Sequence, residues 1–258
     1  MTIDTFRSYT DYDPLHPPEH PGQYWTRFVC ISDTHSGRFP VPPGDILLHA
    51  GDLSSWGQVH QFQTTTEWLA SLPHPHKILV GGNHDLCLDP QCTDESPSGE
   101  GWVTAQDHRA ALELVRGEKA VQAGLIYLDH QSCNVTTRDR EWRVYGSPSS
   151  PMHLSGAFQY IGSAQAEEVC QKIPTDTEIL ITHTPAHRVL DLTSKGKHAG
   201  CQFLTKRMAS LADCKLHVCG HIHEAHGVHV VKQETTNMLA VNAALYRKGM
   251  AIIVDMKN

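Results

Sequence analysis

Short apolar runs separated by polar turns recur along the chain, and they predict buried strands. The first three cover residues 27–32, 45–49 and 77–80, and the third has the composition of a strand buried on both faces. Between the second and third runs, residues 58–72 carry apolar side chains at helical spacing and end before Pro73. The early part of the chain therefore alternates strand and helix.

The pattern of apolar and polar positions also predicts elements in the rest of the chain. It predicts helices at residues 104–115, 163–172 and 201–212. It predicts strands at residues 125–128, 133–137, 142–145, 179–182, 216–219, 226–232, 238–242 and 250–255. Early alternation followed by a strand-rich end implies helices packed on a sheet system. Two sheets stacked face to face with helices outside would fit this pattern, although the strand order does not follow from it.

The N-terminal segment differs from the remainder. Residues 1–23 are polar and contain four prolines, so we expect an irregular arm before a single domain at residues 24–258. The segment lacks the apolar core of a signal peptide, and no apolar run in the chain is long enough to span a membrane. A cytoplasmic location is the resulting expectation.

The net charge limits the classes of binding partner, and the cysteines indicate the redox state of the compartment. The net charge of −7 provides no overall basic field for a nucleic-acid polymer. Most of the eight cysteines lie in or near apolar runs, as buried thiols in a reducing compartment do. Cys87 and Cys92 flank a loop, and whether they form a bridge stays open at this stage.

Five polar motifs each follow one of the apolar runs. They are Asp33-Thr-His35, Gly51-Asp52, Gly82-Asn83-His84-Asp85, Thr182-His183-Thr184 and Gly220-His221-Ile-His223. Each motif alone is ordinary turn chemistry. In open α/β sheets, however, ligands bind beyond the carboxyl ends of the strands, so five such motifs are expected to meet at one edge. Their Asp, Asn and His side chains are enough to hold two metal ions side by side, which is the equipment of a hydrolase acting on phosphate esters.

The set of motifs resembles the calcineurin-like metallophosphoesterases over about residues 27–255. Within that family, the stretches at residues 145–148, 181–185, 200–201 and 215–224 look like the small single-domain subgroup of class III cyclic nucleotide phosphodiesterases and brain metallophosphoesterases. The resemblance implies a four-layer α/β/β/α sandwich of two mixed sheets flanked by helices. It also places a dimetal site at the carboxyl ends of the strands.

The family pattern, carried over by position, implies roles for the motif residues. Asp33, His35 and His223 bind one ion, and Asn83, His183 and His221 bind the other. Asp52 bridges the two ions, and a hydroxide shared by them attacks phosphorus. The implied cofactors are two divalent ions, Mn, Fe or Zn.

Two residues receive catalytic roles and four are expected to contact substrate. The resemblance places His84 near the leaving-group oxygen, as a charge stabiliser or proton donor, with Asp85 orienting it. Cap or turn stabilisation is the structural alternative for Asp85. The substrate contacts are Asn83 and His84, together with Arg38 and His187, for which a purely surface role is the alternative.

The sequence thus predicts a metal-dependent phosphodiesterase acting on a small phosphodiester. The resemblance implies cyclic nucleotides, 2′,3′-cyclic, 3′,5′-cyclic or both. A phosphomonoesterase or phosphoprotein phosphatase on the same site is one alternative, and a non-catalytic metal-binding scaffold is another. Neither a nucleic-acid polymer nor a membrane is an expected partner, and the oligomeric state stays open.

Overall fold

Two six-stranded mixed sheets stack face to face in the part of the chain described by the structure, a computed structural model. The described residues are 5–97, 101–138, 140–233, 237–246 and 249–258. In order across the first sheet, the strands are β1 (Phe6–Tyr9), β14 (Ile252–Lys257), β2 (Trp25–Ile31), β3 (Ile46–His49), β4 (His76–Val80) and β5 (Leu125–Leu128). In the second sheet they are β12 (Gly227–Lys232), β13 (Asn237–Asn242), β11 (Leu216–Cys219), β10 (Ile179–Thr182), β7 (Arg140–Ser147) and β6 (Gln131–Thr137).

Helices cover the outer face of each sheet. Those on the first sheet are α1 (Val59–Ser71), α2 (Ala105–Arg116) and α3 (Glu118–Gln122). Those on the second sheet are α4 (Gly162–Gln171) and α5 (Gln202–Ala209). A short pair, β8 (Ser150–Pro151) and β9 (Gln159–Tyr160), lies in the loop between β7 and α4. The predicted four-layer α/β/β/α sandwich is confirmed.

Alternation of side chains along β2 shows how the layers are held together. Phe28 and Cys30 point into the core between the two sheets, whereas Val29 and Ile31 pack under the helices. Successive side chains of a strand face opposite sides, so the stretch of a strand that is covered on both faces is mostly apolar. Phe28 meets Trp142 of the facing sheet edge-to-face, with ring centroids 5.3 Å apart.

Sheet topology brings the predicted motifs to one edge of the sandwich. β2, β3 and β4 run parallel to one another, and β10 and β11 are parallel in the other sheet. Their carboxyl ends, with that of β13, form what we call the site edge. Ser32, after β2, forms an isolated parallel bridge with Ala244, after β13, which joins the two sheets there.

The N-terminal arm is less irregular than expected. Phe6–Tyr9 pairs antiparallel with β14 and forms the edge of the first sheet, so the expectation of an irregular segment at 1–23 was wrong for these residues. The prolines that suggested an irregular arm begin at Pro14, and Phe6 packs against the core between the sheets. Residues 1–4 lie outside the described residues.

Three further features of the structure concern the cysteines, the start of α2 and the length of the helices. Cys87 and Cys92 are buried free thiols, so they form no bridge in this structure. Thr104 caps α2, its hydroxyl accepting a hydrogen bond from the Asp107 amide. Of the helices that the structure describes, none has the length and apolar character needed to cross a bilayer.

Candidate metal centre

Three loops of the first sheet deliver oxygen and imidazole donors to the site edge. Asp33 and His35 follow β2, Asp52 follows β3 and Asn83 follows β4. Asp33, His35 and Asp52 have φ values of 53°, 46° and 55°. Non-glycine residues rarely adopt this left-handed conformation, and it is concentrated at functional sites. Backbone hydrogen bonds hold the loops, with the Asp33 amide donating to the Gly51 carbonyl at 2.9 Å.

One cluster of donors combines residues from both sheets. Candidate ligand atoms of Asp33, His35, Asp52 and His223 all lie within 4.8 Å of one another. His223 Nε2 is 3.0 Å from Asp33 Oδ1 and 3.5 Å from His35 Nε2. Two carboxylates and two imidazoles at this spacing are a donor set suited to a divalent transition metal.

A second cluster adjoins the first through Asp52. His183 Nε2 lies 2.9 Å from Asn83 Oδ1 and 3.4 Å from Asp52 Oδ1. The ring of His221 packs 4.9 Å from that of His183. The other carboxylate oxygen of Asp52 lies 3.8 Å from His35 Nε2. The two oxygens of Asp52 therefore face different donor groups, which is the arrangement needed of a bridging ligand.

Backbone carbonyls orient two of the imidazoles through hydrogen bonds to their Nδ1 atoms. Nδ1 of His183 lies 2.9 Å from the Ala50 carbonyl oxygen, and Nδ1 of His35 lies 3.3 Å from that of Ser54. A carbonyl can only accept, so each Nδ1 carries a proton, and in the neutral form of the ring Nε2 has the lone pair. Histidines that bind metals characteristically donate their other nitrogen in this way.

Charge at the site favours bound cations. Burial and the neighbouring carboxylates of Asp33 and Asp85 raise the pKa of Asp52 well above its ordinary value. Burial opposes ionisation of Asp33 as well, but its contacts with the site histidines lower its pKa overall. Buried carboxylates of like charge destabilise one another unless a positive charge lies between them.

The site histidines are neutral at neutral pH where burial dominates. Burial lowers the pKa of His35 to about 4 and that of His221 to about 3. Neutral imidazole is the form that binds metal ions. His223 differs: burial opposes its protonation, but the bond to Asp33 outweighs this and raises its pKa. The donor set, the tethered tautomers and the repelling carboxylates together fit a pair of divalent cations.

Two glycines permit the close approach of these groups. A Cβ at Gly220 would collide with the Asp33 carboxylate and the Ser32 hydroxyl. A Cβ at Gly82 would collide with Asp52 and lie 2.8 Å from the His183 ring. Only glycine leaves the space that the donor groups occupy.

His84 stands beside the donors without joining either cluster. Its amide donates to Asp52 Oδ1 at 2.9 Å, and its ring packs edge-to-face against His35 at 4.8 Å between centroids. Nδ1 lies 2.7 Å from the Ser55 carbonyl oxygen. Nδ1 therefore donates to that carbonyl and Nε2 is left for other partners. Sequence reasoning missed Ser55, whose only distinction along the chain is its position three residues after Asp52.

Asp85 does not have the role expected of it. Its carboxylate accepts hydrogen bonds from the amides of Leu53, Ser54 and Gly82 at 2.8–3.0 Å and from the Ser54 hydroxyl at 2.7 Å. The ring nitrogen Nδ1 of His84 is directed at Ser55 instead. The expectation that Asp85 orients the His84 ring was wrong, because the buried carboxylate stabilises the backbone of the Asp52 loop. Burial raises the pKa of Asp85, and these hydrogen bonds oppose that rise.

The two weaker candidates for substrate contact occupy different environments. Arg38 is exposed on the loop after His35. His187 is half-buried, with Nδ1 3.6 Å from the carboxylate of Asp191 and its ring 5.6 Å from that of His198. Their contact with substrate stays a prediction.

A cleft of about 550 Å³ adjoins the site edge. It lies between the segments at residues 89–92 and 152–161, with Trp102, His130 and Lys172 in its walls. The Ala157 amide donates to the Asn83 carbonyl at 2.9 Å, so one wall is attached to a donor-bearing loop.

Two facing mixed sheets with Asp, Asn and His donors at a shared edge define a dimetal phosphoesterase architecture. The family model described as calcineurin-like phosphoesterase matches residues 26–225, and the chain belongs to that family. This confirms the family resemblance inferred from the five motifs.

Individual relatives cover the chain to different extents. The chain is 35% identical over 218 residues to human metallophosphoesterase domain-containing protein 1, covering 83% of this chain and 65% of the human protein. It thus spans just under two thirds of that relative's length. A Caenorhabditis elegans protein of the UPF0046 group is 30% identical over 260 residues, covering 94% of this chain and 86% of that protein. The crystal structure of phosphopantetheinyl hydrolase from Mycobacterium tuberculosis aligns with a TM-score of 0.49 at 14% identity, over 86% of this chain and 92% of that one.

Proposed function

We propose that the chain is a dimetal phosphodiesterase whose substrates are small phosphodiesters, with 2′,3′- and 3′,5′-cyclic nucleotides as the leading class. The observation that carries the proposal is the convergence of four donor residues within 4.8 Å, sharing Asp52 with a second group of donors. The family membership and the name of the human relative support phosphoester chemistry. The cyclic nucleotide rests on the subgroup resemblance in the sequence.

The donor residues define how the ions would be held. Two divalent cations would neutralise charge on the phosphoryl oxygens and supply a nucleophile from water at neutral pH. Asp33, His35 and His223 would hold one ion, and Asn83, His183 and His221 the other, with Asp52 shared between them. The amide oxygen of Asn83 adds a ligand without adding charge, which limits repulsion among the carboxylates.

We assign to His84 the donation of a proton to the leaving group. Its Nδ1–H is committed to the Ser55 carbonyl, so Nε2 is the atom that can meet the departing oxygen. When protonated, Nε2 donates its proton to that oxygen, and the Ser55 carbonyl keeps the ring in one orientation. A positioned acid of this kind contributes about 10²–10⁴ in rate.

Hydrolysis of 2′,3′- and 3′,5′-cyclic AMP by Mn²⁺-loaded protein tests the proposal. Bis(p-nitrophenyl) phosphate and p-nitrophenyl phosphate, which share a leaving group, separate diesterase from monoesterase activity. We expect the diesters to be preferred, chelation to abolish turnover and Mn²⁺ to restore it. Undiminished turnover in the chelator-stripped protein would refute the mechanism.

His84→Ala tests the division between donors and proton transfer. We expect kcat to fall by about 10²-fold or more while two ions per chain are retained in metal analysis. His60→Ala, an exposed histidine on α1, is the matched control and should remain within about twofold of the parent, as distant surface changes do. Loss of an ion from the His84 variant would mean that His84 is a ligand. Fewer than two ions in the parent would favour a non-catalytic scaffold.

The remaining expectations about context are proposals as well. We place the activity in the cytoplasm on a small substrate, away from membranes and nucleic-acid polymers. The net charge of −7 supports the last point, since polymer binding requires a basic surface.

A further inference from the structure

Two exposed aromatic residues flank the candidate metal centre. Trp56, on the loop after Asp52, lies with its ring 6.1 Å from that of His84. Tyr246, on the segment after β13, lies 5.2 Å from the ring of His35 and 5.1 Å from that of His223. His84 and His35 contact one another at 4.8 Å, so the order of rings is Trp56, His84, His35, Tyr246.

Both rings are partly exposed to solvent. The side chain of Trp56 is 70% exposed and that of Tyr246 is 47% exposed. Large aromatic side chains normally contribute to folding by being buried, which these two do only in part. Trp56 contacts the residue proposed to protonate the leaving group, and Tyr246 contacts two proposed metal ligands, so exposed aromatic surface borders the place where a phosphoester would bind.

We propose that Trp56 and Tyr246 bind a planar aromatic ring of the phosphoester substrate, such as a nucleobase, by stacking. The inference rests on the proposed phosphoesterase function and specifies the substrate class. Stacking on aromatic side chains tolerates any base, because every base has a π-face. The two residues would therefore favour substrates with a planar ring over those with only a sugar or an alkyl group.

Equilibrium binding of product-like probes tests the proposal separately from turnover. Calorimetry on the Mn²⁺-loaded protein would compare AMP, phenyl phosphate and ribose 5-phosphate. We expect AMP to bind more tightly than ribose 5-phosphate, by a factor of about 5 to 100. Phenyl phosphate tests which kind of planar ring is recognised. If it binds as tightly as AMP, Trp56 and Tyr246 accept any aromatic ring. If it binds more weakly than AMP, they prefer a nucleobase.

Substitution of each aromatic residue tests whether that residue produces the preference for AMP over ribose 5-phosphate. Trp56→Ala and Tyr246→Ala should each weaken AMP binding by about fivefold or more and leave ribose 5-phosphate within about twofold. Trp56→Phe should retain most of the preference, because a planar ring remains. Tyr24→Ala is the matched control: Tyr24 is 69% exposed but precedes β2, at the opposite end of the strand from Asp33.

Two results would overturn the proposal. One is equal affinity of the parent protein for AMP and ribose 5-phosphate. The other is loss of the AMP preference in Trp102→Ala but not in the Trp56 or Tyr246 variants, which would place the ring in the 550 Å³ cleft instead. A preference for AMP without any hydrolysis of bis(p-nitrophenyl) phosphate would refute the proposed function and leave this binding role intact.

Discussion

Asp85 illustrates how a carboxylate beside the reacting groups can act on the backbone instead. Its two oxygens join the loop after β4 to the loop that carries Asp52, through the amides of Leu53, Ser54 and Gly82. Asp85 is fully buried, so none of these donors finds water if the carboxylate is removed. An unpaired buried donor costs about 1–3 kcal/mol.

Asp85→Ala should therefore destabilise the metal-free protein. We expect the free energy of unfolding to fall by about 3 kcal/mol or more, since three amides lose their acceptor. Relief of the repulsion between Asp85 and Asp52 offsets part of this loss. Urea unfolding monitored by circular dichroism would measure the change. Asp13→Ala, at an exposed aspartate of the N-terminal arm, should leave the stability close to that of the parent. Equal effects of the two substitutions would contradict the assignment.

The donors themselves could be predicted from the sequence, whereas their supports could not. Asp33, Asp52 and His183 each follow an apolar run, and that local pattern is enough to place them at a strand end. The Ser55 carbonyl that holds His84 carries no such signal, because any residue has a carbonyl. Trp56 and Tyr246 were missed for a similar reason: an isolated aromatic residue is expected in the core, and only the folded structure shows that it is exposed.

At the scale of elements, strands covered on both faces were the most predictable part of the fold. β2, β3 and β4 each contain a continuous apolar run because one face packs on the other sheet and one on helices. β1 was missed, since a four-residue edge strand has only one neighbour and its sequence is not distinctively apolar. The strand order was also not accessible, because pairing depends on contacts between segments far apart in the chain.

A buried ion pair attaches the arm to the first sheet. Arg27 on β2 donates to both oxygens of Asp255 on β14 at 2.7 and 2.8 Å. The same guanidinium donates to the carbonyls of Pro18 and Glu19 in the arm. The side chains of Arg27 and Asp255 are 4% and 0% exposed, so solvent cannot replace a missing partner.

Asp255→Ala should thus destabilise the fold strongly. We expect a loss of about 3–5 kcal/mol, because the guanidinium of Arg27 stays buried without its counter-ion. Chemical denaturation would measure it. Asp213→Ala is the comparison, since Asp213 pairs with Arg143 at 3.6 Å but the two side chains are 58% and 40% exposed. That exposed pair should contribute less than about 1 kcal/mol. A loss at Asp255 no greater than that at Asp213 would contradict a large contribution of the buried pair to stability.

On the scale of the whole molecule, the candidate metal centre joins the two sheets. Asp33, Asp52 and Asn83 come from the first sheet, and His183 and His223 come from loops of the second. A complete donor set exists only when both sheets are stacked in register. Metal ions would therefore bind the folded chain much more tightly than the unfolded one, and binding would stabilise the whole sandwich.

Metal removal should consequently lower the unfolding temperature as well as the activity. An ion present at a hundred times its dissociation constant stabilises the fold by about 2.7 kcal/mol. For a domain of this size that corresponds to about 5–10 °C in Tm. Calorimetry of chelator-treated protein with and without added Mn²⁺ would measure the shift. Asp52→Asn should reduce the shift, because it weakens the shared ligand, whereas His60→Ala should preserve it. An identical Tm with and without metal would mean that the donors at the site edge do not bind ions across the two sheets.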